Sequence, residues 1–483
     1  MTENTSPGSQ ALSDLWSQAR LPAEALGHIA LPGKGAVLPS SFDVATAAQA
    51  SLGAAAGAAA ELWHLRSGLA RQQVAVDRTH AALECTAYLR LDGQVPALWD
   101  KVSGLYACGG DVGAPGWVRI HANFAHHRDG ALRLLGLPEG DAVERPAIAQ
   151  ALRAWTATDF EQAAADAGLV VAAARSFEQW DQHPQAAFVA AQDLVSITPI
   201  EGAPASAPRR WPDLRTVQRP LAGLRVLDLT RILAGPVGAR CLAAYGAEVL
   251  MVNGPHLPNI DAIADMSRGK RSCQIDLRED AGRARLSALA EDAHVFLQGY
   301  RPGALAARGF SAQALAQRRP GIVVASLSAY GTAGPWGSRR GFDSLVQTAT
   351  GFNLAEAHAA GGSEPKAMPM QILDYAAGHL LAFGIQAALW RQATQGGSWQ
   401  VQVSLARVGQ WLRAMPRVPD GLLAVAPPLE PYTEDSRCGF GQGDLRAMRH
   451  APTFSVTPAA WDHPSMPPGT HPPAWLPTDS PAA

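Results

Sequence analysis

Charge is scarce in this sequence. Asp, Glu, Lys and Arg make up 17% of its 483 residues, against about 25% in ordinary soluble domains. The formal net charge is −2 with the two signs interspersed, so no basic field is present that would recruit nucleic acid or a membrane surface. Small molecules and other subunits are the expected partners. Cysteine is equally sparse. Cys85, Cys108, Cys241, Cys273 and Cys438 show no CxxC and no metal-ligand spacing, which excludes a disulfide framework and a structural metal site and reads as reduced thiols in a cytoplasmic protein. The first eight residues lack the charged and apolar regions of a secretory signal. The nearest approach to a membrane span is 45–62, but its alanines and Gln49 are too weakly apolar, and a buried helix is expected there. No GxGxxG follows the first regular strand, which argues against a dinucleotide-dependent oxidoreductase.

What the sequence does have is 47% hydrophobic residues and enough length for two or three domains. A Pro-, Arg- and Ser-rich stretch at 201–220 reads as a linker. Beyond it strands and helices alternate: strands at 224–229, 248–252, 294–297 and 322–327, helices at 236–245, 281–290 and 312–317. Such β-α-β spacing implies parallel strands. The expected fold is α/β, with a Rossmann-like doubly wound parallel-sheet core at 221–412 and a smaller α+β domain N-terminal to it, within 37–200. An extension at 1–36 and a Pro-rich segment at 413–483, expected as a surface tail packing on the core, complete the division. The stretches 63–83 and 390–410 both read as a helix end, a Gly-containing turn and a strand with Gln-Val-x-Val, so an internal duplication and an unrelated similarity of pattern are both open.

An ordered series of motifs runs through the second half: PLAGLRVLDLTR at 220–231, LAGP at 233–236, YGAEV at 245–249, GKRS at 269–272, IDL at 275–277, RPGAL at 301–305, GFD at 341–343 and LD at 373–374. In this order and spacing they resemble the family III CoA-transferases, the CaiB/BaiF family. Residues 145–198 resemble the family's smaller domain and 450–475 its C-terminal end. The resemblance therefore implies a truncated first copy fused ahead of a nearly complete second core, and a fused pseudo-dimeric monomer or a homodimer.

It also implies an activity. Coenzyme A or an acyl-CoA would be substrate, a small carboxylic acid the acceptor, and Asp374 the nucleophile whose carboxylate forms an anhydride and then an aspartyl-CoA thioester. Taken alone, Asp374 is an ordinary helix cap between a strand-like 368–373 and a helix at 375–391. The turn Leu233, Ala234, Gly235 matches the family's contact with CoA, where glycine permits close backbone approach. Lys270, Arg271, Ile275, Asp276, Leu277, Arg278, Tyr300, Arg301 and Arg340 are the further CoA contacts implied, the cations by pairing with phosphates. No metal or redox cofactor is implied. Phe342 stands where the family's racemases carry a proton-shuttling histidine, so transfer is favoured over racemisation. Asp343 reads as a cap or core-facing hydrogen-bond partner, and His379 as a packed residue. Departures from the pattern are Asn253-Gly254-Pro255 after the second strand, Gln298-Gly299-Tyr300, and Ala307 with Arg308 one place on. The alternative reading is a weak or inactive binding or scaffold protein, then a racemase or lyase. Gly439 to Gly443 is the candidate for a glycine lid over Asp374.

Overall fold

The computed structural model describes residues 6–208 and 218–477. Part of the linker, 209–217, lies outside them, as do 1–5 and 478–483.

The core is a seven-stranded sheet. Its strands in chain order are β1 (Ser196–Pro199), β2 (Arg225–Leu229), β3 (Glu248–Asn253), β4 (Lys270–Gln274), β5 (Val295–Gln298), β6 (Val323–Ser328) and β7 (Trp399–Ser404). The spatial order is β4-β3-β2-β5-β6-β7-β1. All pairs are parallel except β7 with β1. In register, Val226 faces Val249 on one side and Val295 on the other. Runs such as Val226-Leu227 and Phe296-Leu297 are buried, as strands covered on both faces require. The order runs outward from β2 in both directions, so the chain reverses between β2 and β5, and the loops leaving their C-terminal ends diverge there to form a crevice.

Two long helices fill the interior, α1 (Val44–Ser67) and α5 (Ile372–Gln395); among the shorter helices between them in the chain are α2 (Arg78–Glu84), α3 (Ala234–Ala244) and α4 (Asp343–Ala349). Helix α6 (Leu405–Ala414) comes last. Helices α1 and α5 are apolar around almost their whole circumference and are buried against each other, as all-round apolar helices must be. Helix α5 is long and apolar enough to cross a membrane, yet its apolar window is entirely covered by protein, as in a buried core helix. Helix α3 crosses α5 closely: a Cβ on Gly378 would stand 2.4 Å from the Ala234 carbonyl oxygen.

Within 37–200, an antiparallel sheet of Gly104–Cys108, Gly116–Ile120 and Val171–Ala173 carries its own core of Val118, Ile120, Leu152 and Phe160, so this smaller unit extends N-terminal of the 145–198 stretch. Two expectations need correction. The C-terminal segment is not a tail over the surface. Asp444–Met448 pairs with Leu89–Leu91, and Pro452–Phe454 with Val74–Val76, so it is woven into the N-terminal half. Its strand pattern is masked by the surrounding prolines. Finally, 368–373 is no strand: Pro369 bends the chain and α5 begins at Ile372.

Candidate active site

A cleft of about 450 Å³ opens at the crevice between β2 and β5. The loop after β2 supplies Thr230 to Leu233, the start of α3 supplies Ala234 and Gly235, and the loop after β5 supplies Gly299 to Pro302. The first loop is tightly turned. Ile232 adopts a φ of 74°, an unusual conformation for a β-branched side chain, and a Cβ on Gly235 would fall 2.4 Å from Thr230 Cβ. Beneath the loop Asp228 accepts hydrogen bonds from the Thr230 N–H at 2.9 Å and from its hydroxyl at 2.5 Å.

Ten of the residues singled out by sequence line this cleft: Leu233, Ala234, Gly235, Ile275, Leu277, Arg278, Tyr300, Arg301, Arg340 and Asp374. Three do not. Lys270 is fully enclosed, its ammonium 2.9 Å from Asp228 and 3.0 Å from the Pro236 carbonyl. Burial lowers its pKa against the pull of Asp228, and it serves as a brace under the β2 loop rather than a phosphate ligand. Arg271 donates to the Ala474 carbonyl at 2.6 Å and lies 3.5 Å from Glu248. Asp276 is clamped by Arg278 at 2.5 to 3.0 Å, which holds its pKa near 2. The side chains of successive residues on a strand point to opposite faces, so a motif that borders a cleft cannot present all its members to it.

The cleft also has residues outside the CoA contacts that the resemblance implies. Arg231, Arg308 and His256 line it. Arg308 therefore reaches the cleft although it stands one place later than the family pattern, and Arg231 adds a cation where the chain after β3 lacks one. Burial lowers the pKa of Arg231, and burial together with Arg301 lowers that of Arg340. Cations held this way gain from an anionic ligand. The smaller domain contributes Phe124, His126 and His127, and Arg340 donates to the Gly168 carbonyl at 2.9 Å and meets His127 Nε2 at 3.2 Å. No local motif announces these residues, because they reach the cleft only through packing of one domain on the other.

Asp374 is the third residue of α5 and 8% exposed. Among the described residues no donor reaches its carboxyl, which faces the cleft. Its own N–H donates to Asp343 Oδ2 at 2.9 Å. Burial raises the Asp343 pKa to about 7; burial and then the nearby Asp343 push that of Asp374 well above the usual carboxylate range. Phe342 also lines the cleft and stacks on His121 at 3.9 Å with planes 8° apart. His379 is packed between α1 and α5, its Nδ1 3.4 Å from the Ser51 hydroxyl. The glycine segment 439–443 is not a lid. It is a hairpin turn fixed by Asp92, which accepts from the N–H groups of Gln442 and Asp444 at 2.8 and 3.1 Å, away from the cleft.

Residues 221–419 match the family model described as CoA-transferase family III. An acyl-CoA transferase from Gibberella moniliformis is 29% identical over 383 residues, spanning 71% of this chain and 66% of that protein. A probable fatty acyl-CoA transferase from Mycobacterium tuberculosis, Rv3272, is 35% identical, spanning 41% and 53%. Among solved structures, a CaiB/BaiF family protein from Brucella suis is 25% identical with a TM-score of 0.38, covering 47% of this chain and 65% of that one. The chain spans about two thirds or less of the length of these relatives. Residues 221–419 are thus similar to CoA-transferase family III, a match that spans less than half of the chain.

Proposed function

We propose that this chain moves CoA from an acyl-CoA thioester to a carboxylic acid, with Asp374 as the acyl carrier. The supporting observation is a carboxyl that no donor among the described residues reaches, facing a cleft whose other walls carry Arg231, Arg278, Arg301, Arg308 and Arg340. Those guanidinium groups suit the phosphates of CoA, and the positive end of α5 favours a carboxylate in its first turn. In the first step a carboxylate oxygen of Asp374 attacks the thioester carbonyl carbon. The carbon–sulfur bond breaks, CoA leaves as thiolate, and a mixed anhydride remains. Thiolate then attacks the Asp374 side-chain carbonyl and displaces the donor acid as carboxylate, leaving an aspartyl-CoA thioester. The acceptor carboxylate repeats the two steps in reverse and Asp374 is regenerated. Each step exchanges one anion for another, so no general base is needed. Phenylalanine at 342 has no proton to shuttle, which favours transfer over racemisation.

The same reading includes the fused architecture. One constant spacing relates Trp63 to Trp390, Val74 to Val401, Val76 to Val403, and the helix cap Asp77 to the cap Ser404. It sets Ala47 opposite Asp374, so the first copy carries no nucleophile. The chain acts as a monomeric pseudo-dimer or a homodimer, in the cytoplasm with its cysteines reduced. The donor class is that named for the relatives, acyl-CoA.

The test is chemical trapping. After incubation with a panel of acyl-CoAs and hydroxylamine, mass spectrometry should find modification at Asp374 and none in Asp374→Ala, which should lose transfer entirely. Unmodified Asp374 with every thioester, or undiminished transfer in Asp374→Ala, overturns the proposal.

A further inference from the structure

Helix α5 begins without a cap of its own. Gln371 stands at the N-cap and makes no side-chain bond there, although the first N–H groups of a helix have no intrahelical acceptor. The acceptor comes from another helix. Asp343, the first residue of α4 and 1% exposed, accepts the Asp374 N–H at 2.9 Å, and the Leu373 backbone also bonds to it. Its second oxygen accepts from Gln347 Nε2. Gln347 in turn donates to the Met370 carbonyl at 3.2 Å and accepts from the Met368 N–H at 3.3 Å. Asp343 and Gln347 together hold both the bend leading into α5 and its first turn.

We propose that Asp343 is a positioning residue for Asp374: it caps the helix in trans, aims the nucleophile at the cleft and sets an anionic neighbour against it. This rests on Asp374 being the acyl carrier. The neighbour matters because it acts unequally along the reaction. Two adjacent buried carboxylates repel, which raises the energy of the free nucleophile. Once Asp374 is acylated it is neutral and the charge departs on the CoA thiolate, so the repulsion is gone. For the ionised form, an interaction that penalises the ground state and not the acylated state accelerates acylation; below the raised pKa of Asp374 the carboxyl holds its proton and the rate falls, which is the acid limb.

The other charged groups around α4 are committed elsewhere or act on the same pair. Arg119, on the strand Gly116–Ile120, bears on Asp343 and has its Nε unpartnered. Arg175, after the strand Val171–Ala173, pairs with Glu161 at 2.5 Å. Glu356 on the helix Phe352–Ala359 accepts from the Ser41 hydroxyl at 2.8 Å, and Arg407 on α6 donates to the Gln192 carbonyl at 2.8 Å. His121, stacked on Phe342, is neutral because burial lowers its pKa to about 3.

The experiment uses Asp343→Asn, which keeps an acceptor oxygen and removes the charge, and Asp343→Ser, a smaller cap-competent residue, in case the first does not fold. The Asp374 carboxyl is followed in the free full-length protein by carbon-13 NMR, its resonance assigned by its loss in Asp374→Asn. Its titration should move to lower pH in either variant. In steady-state transfer the acid limb should move the same way, with kcat down at least tenfold and KM for acyl-CoA little changed, since Asp343 does not line the cleft. An unchanged Asp374 titration in a folded variant overturns the proposal, whatever the kinetics. If the titration moves but wild-type protein forms no adduct, the coupling of the two carboxyls stands, while the acyl-carrier reading and the positioning role that rests on it fall.

Discussion

At the scale of single residues, Lys270 and Arg308 show how a cation's environment decides its work. Lys270 is sealed against Asp228 with neither side chain exposed; removing one partner of such a pair strands the other charge. Lys270→Met is expected to destabilise the protein by about 3 to 5 kcal/mol, measured by denaturant unfolding. Arg308 is exposed at the cleft mouth, and Arg308→Ala is expected to leave unfolding within about 0.5 kcal/mol of wild type while weakening acyl-CoA binding in a salt-dependent way. Were Lys270 a phosphate ligand, the two variants would show the opposite pairing of effects. Gly235→Ala tests the turn itself. Its Cβ must displace Thr230, so KM for acyl-CoA should rise at least about tenfold, a loss of about 1.4 kcal/mol in binding, in a steady-state assay.

At the scale of elements, the crossing of α3 and α5 connects packing to chemistry. Gly378 touches the Ala234 carbonyl, and Ala234 opens the helix that borders the cleft. Gly378→Val cannot be accommodated without moving α3 away from α5. Overpacking of this kind typically costs about 1 to 3 kcal/mol, and here it also shifts the cleft wall against Asp374. The expected result is a lowered melting temperature together with a fall in kcat/KM. Loss of stability with an unchanged kcat/KM would mean that the two walls of the cleft are positioned independently of this crossing.

At the scale of the whole molecule, the N-terminal half and the C-terminal segment are bound into the core by buried polar contacts. His450 meets Glu84 of α2 at 2.9 Å and the hydroxyl of Tyr245 at 3.0 Å. Burial opposes charge on His450, but the attraction of Glu84 outweighs it and raises the pKa to about 9. Burial likewise opposes charge on Glu84, and His450 and Arg240 hold it well below the usual carboxylate range. A raised histidine pKa stabilises the fold fully below its unfolded value, about 6.5, and the contribution is lost as pH climbs through 9. Stability against thermal unfolding should therefore fall between about pH 6.5 and 9.5, and His450→Gln should flatten that decline while lowering stability at pH 6. The interleaving has a further consequence. A chain reduced to 218–483 exposes the face of α5 that α1 covers, and size-exclusion chromatography with circular dichroism is expected to find it aggregated or unfolded rather than a native monomer.

The apolar runs of β2, β3, β5 and β6, and the helices between them, were legible in the sequence because strand burial on both faces writes itself locally as Val and Leu. The ordered motifs marked the β2 loop and Asp374 for the same reason: each lies within a few residues of a strand end or helix start. The tertiary structure decided the rest. It placed β4 at the edge of the sheet and, by alternation along the strand, sent Lys270 to Asp228 and Arg271 to the Ala474 carbonyl, so neither reaches the cleft. Phe124, His126 and His127 came to the cleft through domain packing, and the proline-rich end was threaded into two small sheets. Asp374 became the third residue of a helix capped by a carboxylate about thirty residues earlier. Local pattern fixes which residues are apolar and where the chain turns. Which polar groups then meet, and so which one is left free to react, depends on contacts between segments far apart in the chain.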